Sequence, residues 1–494
     1  MMITSSPALA AVSAEGAVQV KTILDKMIAR NMDTLILKDG MGGELNVNPI
    51  KMDGETVVLP KGDYYEAKLP YITVNVMDSY TLDIGRIAMN IAPQGDDNRW
   101  LTTVALPKNM PLLDDTGSIA GGISFDEQTF KGLWDSKREI FIDYDARYKG
   151  LNVSGLTDFY FQKFSADELN FSQDLSQAVG TEDVYSGPVN FSAKNLVGES
   201  GFDTKSMKRV EVASVQGQSV YSEMPLLDMV EFQDDMMNYT NPADAMGWAI
   251  PNQLVKLLNY MPKSGSTEVT ANDIRVTYNP GTDNQTRILT KSVHLKSTQD
   301  NLKSDAADFE TIYNVEDISY EGYPESYLAY LPTRSQVQFN VTDLPLKSFV
   351  AAAQASVDQT APSSRPMQNW PALMAEKGTR LTITNAETVA PELALLLNGV
   401  LNAEANTARG FTGDMALKVR GMDQALQSFQ TIMNENLAMR LFMQQIMLGL
   451  TVLQSAGQLD DAGTTRTYNM DVLADGRVTL NGADISGFLN MLPF

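Results

Sequence analysis

The sequence predicts an α+β protein: long, antiparallel, curved β-sheets of the meander type, with helices packed on one face and a helix-rich C-terminal third. Three observations carry this expectation. Between residues 44 and 345 apolar and polar side chains alternate in short runs, the period of a half-buried strand. Gly, Pro, Asn and Asp clusters separate those runs, as turns require. Residues 15–37 and much of 346–455 instead repeat their apolar residues near a 3.6-residue period, the mark of an amphipathic helix.

The elements follow in chain order. Val18, Ile23, Met27, Ile28 and Leu35 place a helix over 15–37 with Asp25 and Lys26 on its other face, and Gly40 to Gly43 turn the chain. Alternating runs at Thr56–Leu59, Tyr71–Met77 and Trp100–Val104 read as strands. A short helix is expected near 125–134, then strands at Ile140–Tyr148 and Val189–Leu196. Residues 243–261 suit a helix broken at Pro251. Strands resume over 274–345, the clearest being Gln336–Val341, and Pro345, which cannot donate to a ladder, ends that run. The chain then predicts a helix at 346–357, a strand at 379–384, a helix at 391–403, a strand at 413–420 and a long helix at 422–455. Thr467–Leu480 reads as a hairpin, with Asp475-Gly476 as a type I′ turn. One shape recurs: an alternating strand, then a polar residue and Leu, then a turn. It is seen at Phe191–Leu196, at Val337–Leu344 and more loosely at Tyr148–Val153, without fixed spacing.

These elements divide the chain into 1–14, a signal-peptide remnant or short tail; 15–120, a helix and a β region; 121–345, β-rich; and 346–494, mixed and ending in the hairpin. Pro362-Ser363-Ser364-Arg365-Pro366 is the natural linker. Ala8-Leu9-Ala10 has the form of a signal-peptidase site, with cleavage after Ala10, and this suits an exported, periplasmic protein whose start lies inside a longer leader.

Composition narrows the function. Among 494 residues 38 are Lys or Arg and 61 are Asp or Glu, a net charge of −23. Phosphate backbones and anionic membrane surfaces are bound through clustered cations, so nucleic acid is not an expected partner. The densest basic group, Lys205, Lys208 and Arg209, lies beside Glu211. There is no cysteine, which excludes disulfides, thiolate catalysis and cysteine-held zinc or iron–sulfur clusters. The single histidine, His294, sits in Ser292-Val293-His294-Leu295-Lys296, where Val293 and Leu295 share one side of a strand and His294 faces solvent. No phosphate-binding loop, dinucleotide fingerprint or nucleophile elbow is present. Asp143 with Asp145, Asp114 with Asp115, and Asp234 with Asp235 could serve as acid pairs of a hydrolase. In so acidic a chain such pairs are also the ordinary content of turns and solvated strands. Asp96-Asp97-Asn98 and Asp460-Asp461 lack the spacing of a calcium loop, so no metal or cofactor is expected. Leu437–Leu453 is the most apolar segment, but Arg440, Gln444 and Gln445 mark it as a buried helix rather than a membrane span.

That segment is also rich in methionine. Met439, Phe442, Met443, Ile446, Met447 and Leu450 would form one wide apolar face. Such a face either packs as core or lines a groove for a lipid-like ligand, since methionine adapts to varied apolar partners.

At the C-terminus, Leu437-Ala438-Met439-Arg440-Leu441-Phe442 precedes the strand Tyr468–Leu473 and the hairpin Asp475-Gly476-Arg477-Val478-Thr479-Leu480-Asn481-Gly482. This arrangement resembles the end of the YdgA-like bacterial envelope proteins. Tyr327–Leu346, with Leu331-Pro332 and Leu344-Pro345-Leu346, is similar to segments of those and of AsmA-like envelope proteins. The resemblance implies a β-rich protein facing the periplasm and carries over no catalytic residue. The expected function is therefore a non-enzymatic cell-envelope protein that handles a lipid-like ligand between sheet and helices. The alternatives are a scaffold or interaction module without a small ligand, and an acid-pair hydrolase.

Overall fold

The structure is a computed structural model that describes residues 12–33, 37–38, 44–45, 50–76, 79–155, 161–181, 183–201, 207–226, 261–357, 370–435, 451 and 454–486. Strands dominate it, and every described pairing is antiparallel, as the alternation requires. The chain forms two compact units, Met1–Pro262 and Lys263–Phe494.

Unit 1 opens with helix α1 (Ala14–Asp33). Its buried stripe of Ala17, Val20 and Leu24 packs on Tyr65, Ala67, Met89, Ile91, Trp100 and Trp134. Those residues come from β1 (Tyr64–Val76), β2 (Tyr80–Gln94), β3 (Asp96–Ala105) and β4 (Glu127–Asp135). Four longer strands follow as a meander: β5 (Ile140–Ser154), β6 (Phe161–Asp174), β7 (Val184–Ser200) and β8 (Lys208–Pro225). Arg138 closes the turn between β4 and β5. It is bound to the buried Asp135 at 2.6 Å and to Asp183 at 2.7 Å, and it lies 5.5 Å from the centre of the Tyr185 ring.

Unit 2 continues with β9 (Ser264–Tyr278), β10 (Thr286–Asp300), β11 (Ala307–Glu321) and β12 (Arg334–Leu344). The short helix α2 (Glu325–Leu328) joins β11 to β12. Helices α3 (Leu346–Val357) and α4 (Trp370–Lys377) follow, then β13 (Arg380–Val389), β14 (Ala394–Ala403) and β15 (Phe411–Arg420). Helix α5 (Met422–Glu435) leads to β16 (Thr465–Val472) and β17 (Val478–Leu480). Asp305 holds the start of α3, accepting from the Ser348 N–H at 2.6 Å and its hydroxyl at 2.9 Å.

Several expectations need correction. The helix expected near 125–134 is strand β4: residues 127–135 pair with β5, and 131–135 also with β3, with a bulge between Leu133 and Trp134. The helix expected at 391–403 is strand β14. Its Leu-rich run looks helical by propensity, but pairing on both sides with β13 and β15 decides it. The C-terminal third is accordingly not helix-rich among the described residues, and the β-rich character extends to its end. The general packing of helices on one sheet face is likewise not what the described residues show. Asp475-Gly476 is not a two-residue type I′ turn. Only Gly476 is left-handed (φ 84°), and the loop has three residues, Ala474-Asp475-Gly476, closed by the Leu473 N–H donating to the Arg477 carbonyl at 2.9 Å. The recurrent polar-residue-then-Leu shape, by contrast, has a definite structure: Gly150, Asn195 and Asp343 all have φ between 50° and 62°. Asp273 before Ile274 and Asp317 before Ile318 repeat it, at φ 51° and 52°. Asn and Asp are the side chains that tolerate this region best after Gly.

Candidate functional site

In unit 2 the register places apolar side chains in line across the whole sheet. Directly paired residues of neighbouring strands share a face. Val269 pairs with Leu295, Leu295 with Tyr313 and Tyr313 with Val337. The line continues through Ala386, Leu397, Leu417 and Tyr468. It crosses eight strands. Seven strand spacings of about 4.8 Å make a track about 34 Å long. The neighbouring line, Phe339, Ile383, Gly399, Met415 and Met470, lies on the same face. A bulge in β13, between Ile383 and Ala386, keeps both residues on that face. The opposite face carries Thr270, His294, Asn314, Gln336 and Glu387.

The apolar face ends at a line of left-handed residues. Asp273 and Asp317 flank Lys291 of β10, and pairing skips all three without a change of register. Before this line the apolar residues of β9 are Val269 and Ala271; beyond it they are Ile274 and Val276, which have the opposite parity. The same change occurs in β11, from Tyr313 and Val315 to Ile318 and Tyr320. A charged row, tied by Lys291 to Asp317 at 3.5 Å, thus marks where the apolar positions change parity along the strands.

One end of the track is covered. Helix α5 sets Met422 and Leu426 against Val419 and Tyr468, and Met422, Val419 and Tyr468 are each at most 2% exposed. Arg466 holds the helix in place. Its guanidinium reaches both carboxylate oxygens of Asp423 at 3.1 Å and donates to the Gln454 carbonyl at 2.9 Å. The Arg466 hydrogen bond, with a second from Gln454, holds the Asp423 carboxyl below its ordinary range. Tyr330 adds a clip, its hydroxyl 2.7 Å from that of Ser428 and its ring 5.3 Å from that of Phe429. Farther along, at β10 and β11, the face is open: Leu295 and Tyr313 are each 39% exposed. Apolar side chains this exposed and in register form a surface able to take hydrocarbon.

Met439, Phe442, Met443, Ile446, Met447 and Leu450, the groove residues expected from sequence, lie outside the described residues, as do Ala8-Leu9-Ala10, Asp234, Asp235 and the Pro362–Pro366 linker. The other expected positions are described. His294 stands on the polar face with Nε2 3.2 Å from Glu268 Oε1. Asp143 and Asp145 share the polar face of β5, and burial together with the Asp174 charge directly opposite pushes the Asp143 carboxyl up. Asp114 organises a turn, accepting from the N–H groups of Thr116 at 2.9 Å and Ser118 at 2.8 Å. Asp460 does the same for Thr464 and Thr465. Arg209 is spent on Glu199 and Glu211 at 2.7 and 2.9 Å. Among the described residues no group of three acidic or histidine side chains gathers to hold a metal, and no helix is long and apolar enough to cross a membrane. The apolar track itself escaped the sequence reading, because strand-by-strand alternation says which residues share a face only once the register is known.

No protein-family model matches the chain, and no curated protein or solved structure matches it.

Proposed function

We propose that this is a non-enzymatic protein of the bacterial cell envelope that holds a lipid-like molecule on the apolar face of unit 2. The observation that carries the proposal is the track from Val269 to Tyr468, covered by α5 at one end and open at Leu295 and Tyr313. An exposed apolar track has reason to persist when something apolar covers it, since covering it contributes about 25 cal/mol per Å2. The Met-rich segment 437–453, read from sequence, would add a second apolar surface for the same ligand. The exported location rests on the Ala8-Leu9-Ala10 site and on the resemblance to periplasmic families.

The test is binding of a fluorescent apolar probe, N-phenyl-1-naphthylamine, to purified full-length protein. Leu295→Asp with Tyr313→Asp places two charges on the open end of the track. Saturable enhancement that is lost in this variant, with the circular dichroism unchanged, is the expected result. Enhancement equal in both proteins would place the ligand elsewhere, and none in either would favour a scaffold with a protein partner.

A further inference from the structure

The apolar face of unit 2 differs from its reverse in charge as well as in hydropathy. Gly265, Thr267, Val269 and Ala271 of β9 each begin a row that direct pairing carries through to β16, across the bulge in β13. Among the described residues of those rows the one charged side chain is Arg466, and its guanidinium is committed to Asp423 and the Gln454 carbonyl. At the open end, on β9, β10 and β11, the rows carry no charge. The reverse side of the same three strands carries Glu268, His294, Lys296, Glu310 and Glu316. The large apolar side chains that stand exposed on these strands, Leu295 and Tyr313, both belong to the uncharged side.

The uncharged side is not apolar throughout. Beside Val269, Leu295 and Tyr313 runs the row Thr267, Ser297 and Thr311, paired in direct register, with Gln299 one row farther out. Neighbouring rows lie two residues, or about 7 Å, apart along the strands. At β12 the same two rows turn apolar, at Phe339 and Val341. The polar groups are therefore confined to the open end, and hydrocarbon side chains continue from there toward α5. Hydroxyl and amide side chains exchange hydrogen bonds with hydroxyl groups, but they bring no positive charge to a carboxylate or phosphate. The border of left-handed residues brings little more: it holds Asp273, Lys291 and Asp317, with the Lys291 ammonium 3.5 Å from Asp317. Lys263, just before β9, is the basic residue at the other border.

We infer that the ligand of the unit 2 face is an amphiphile with an uncharged, hydroxyl-bearing headgroup, of the monoacylglycerol kind, and not a fatty acid or an anionic phospholipid. This rests on the proposed function of unit 2 for the hydrocarbon, and on the charge-free open end for the headgroup. The test is displacement of N-phenyl-1-naphthylamine from the full chain at about pH 8 by 1-monolauroylglycerol and by laurate, which share a tail and differ in headgroup. Monolauroylglycerol should act at about tenfold lower concentration, the low end of the cost of leaving a carboxylate without a partner. Ser297→Lys supplies a cation in the polar row and should reverse the order. An order unchanged in that variant, with its circular dichroism also unchanged, would overturn the placing of the headgroup at Ser297 and Thr311. Laurate bound as tightly as monolauroylglycerol by the unaltered chain would overturn the uncharged class, point to a cation such as Lys263, and leave the unit 2 reading standing. Displacement by neither amphiphile, with neither bound in native mass spectrometry, would overturn both.

Discussion

Replacing Asp273 and Asp317 tests whether left-handed residues build the point at which the apolar positions change parity. Both have φ near 51°, in a region where a side chain with a Cβ costs roughly 1–2 kcal/mol and glycine costs nothing. Glycine loses more freedom on folding than alanine, which returns about 0.4–1 kcal/mol to the alanine variant. The net advantage of glycine over alanine is therefore roughly 0.5–1 kcal/mol per site. The two sites stand on β9 and β11, two strands or about 9.6 Å apart, far enough for their effects nearly to add. Comparing the Asp273→Gly, Asp317→Gly chain with the Asp273→Ala, Asp317→Ala chain also cancels the loss of the exposed Lys291–Asp317 pair, which both lack. The expected gap is about 1–2 kcal/mol. For a unit of about 230 residues that is a Tm difference of about 2–8 °C, read by calorimetry in the transition of unit 2. An alanine chain as stable as the glycine chain would refute a switch built on left-handed residues.

Further outcomes follow from the same geometry. Arg466→Ala leaves the Asp423 carboxylate with only its Gln454 hydrogen bond, removes the guanidinium from the Gln454 carbonyl, and should destabilise unit 2 by about 1–3 kcal/mol, checked by urea unfolding. The Asp423 carboxyl is held below the ordinary carboxylate range, so its contribution is present above that range and lost as pH falls through the lowered folded value; Asp423→Asn should flatten that acid limb of the stability curve. Asp143 has the opposite sign. Its carboxyl is raised by burial and by Asp174, so its charge costs stability once pH passes the raised value, and Asp143→Asn should raise the unfolding midpoint of unit 1 at pH 7 and not at pH 3. Leu24→Ala, at a fully buried position on α1, should cost about 2–5 kcal/mol by thermal unfolding.

Much of the fold can be read from the residues, and the failures have physical causes. The 346–357 helix, the strand at 413–420 and the end of the 336–341 run at Pro345 were set by local chemistry, and they stand as read. His294 opposite Val293 and Leu295 needed only the two-residue period. Strands β4 and β14 were misread because pairing on both sides overrides the helical look of 125–134 and 391–403. The polar-residue-then-Leu shape was noticed at three places, but not as a left-handed residue. Asp-Ile at 273 and 317 forms the same shape with Ile in place of Leu, and nothing in the residues themselves sets its backbone apart from an ordinary strand. The apolar track was beyond the sequence for a deeper reason. Whether Leu295 meets Tyr313 depends on a register that no local pattern specifies.

The central claim is that the apolar face of unit 2 is occupied by a lipid-like molecule. The most direct measurement is to express the full chain with a working export signal, purify it without detergent, extract it with organic solvent and compare the extract with a mock purification by mass spectrometry. An amphiphile at no less than one molecule per chain is expected, lost when Leu295 and Tyr313 become Asp. An extract indistinguishable from the mock, from protein that also fails to take up palmitoyl lysophosphatidylcholine, would contradict it.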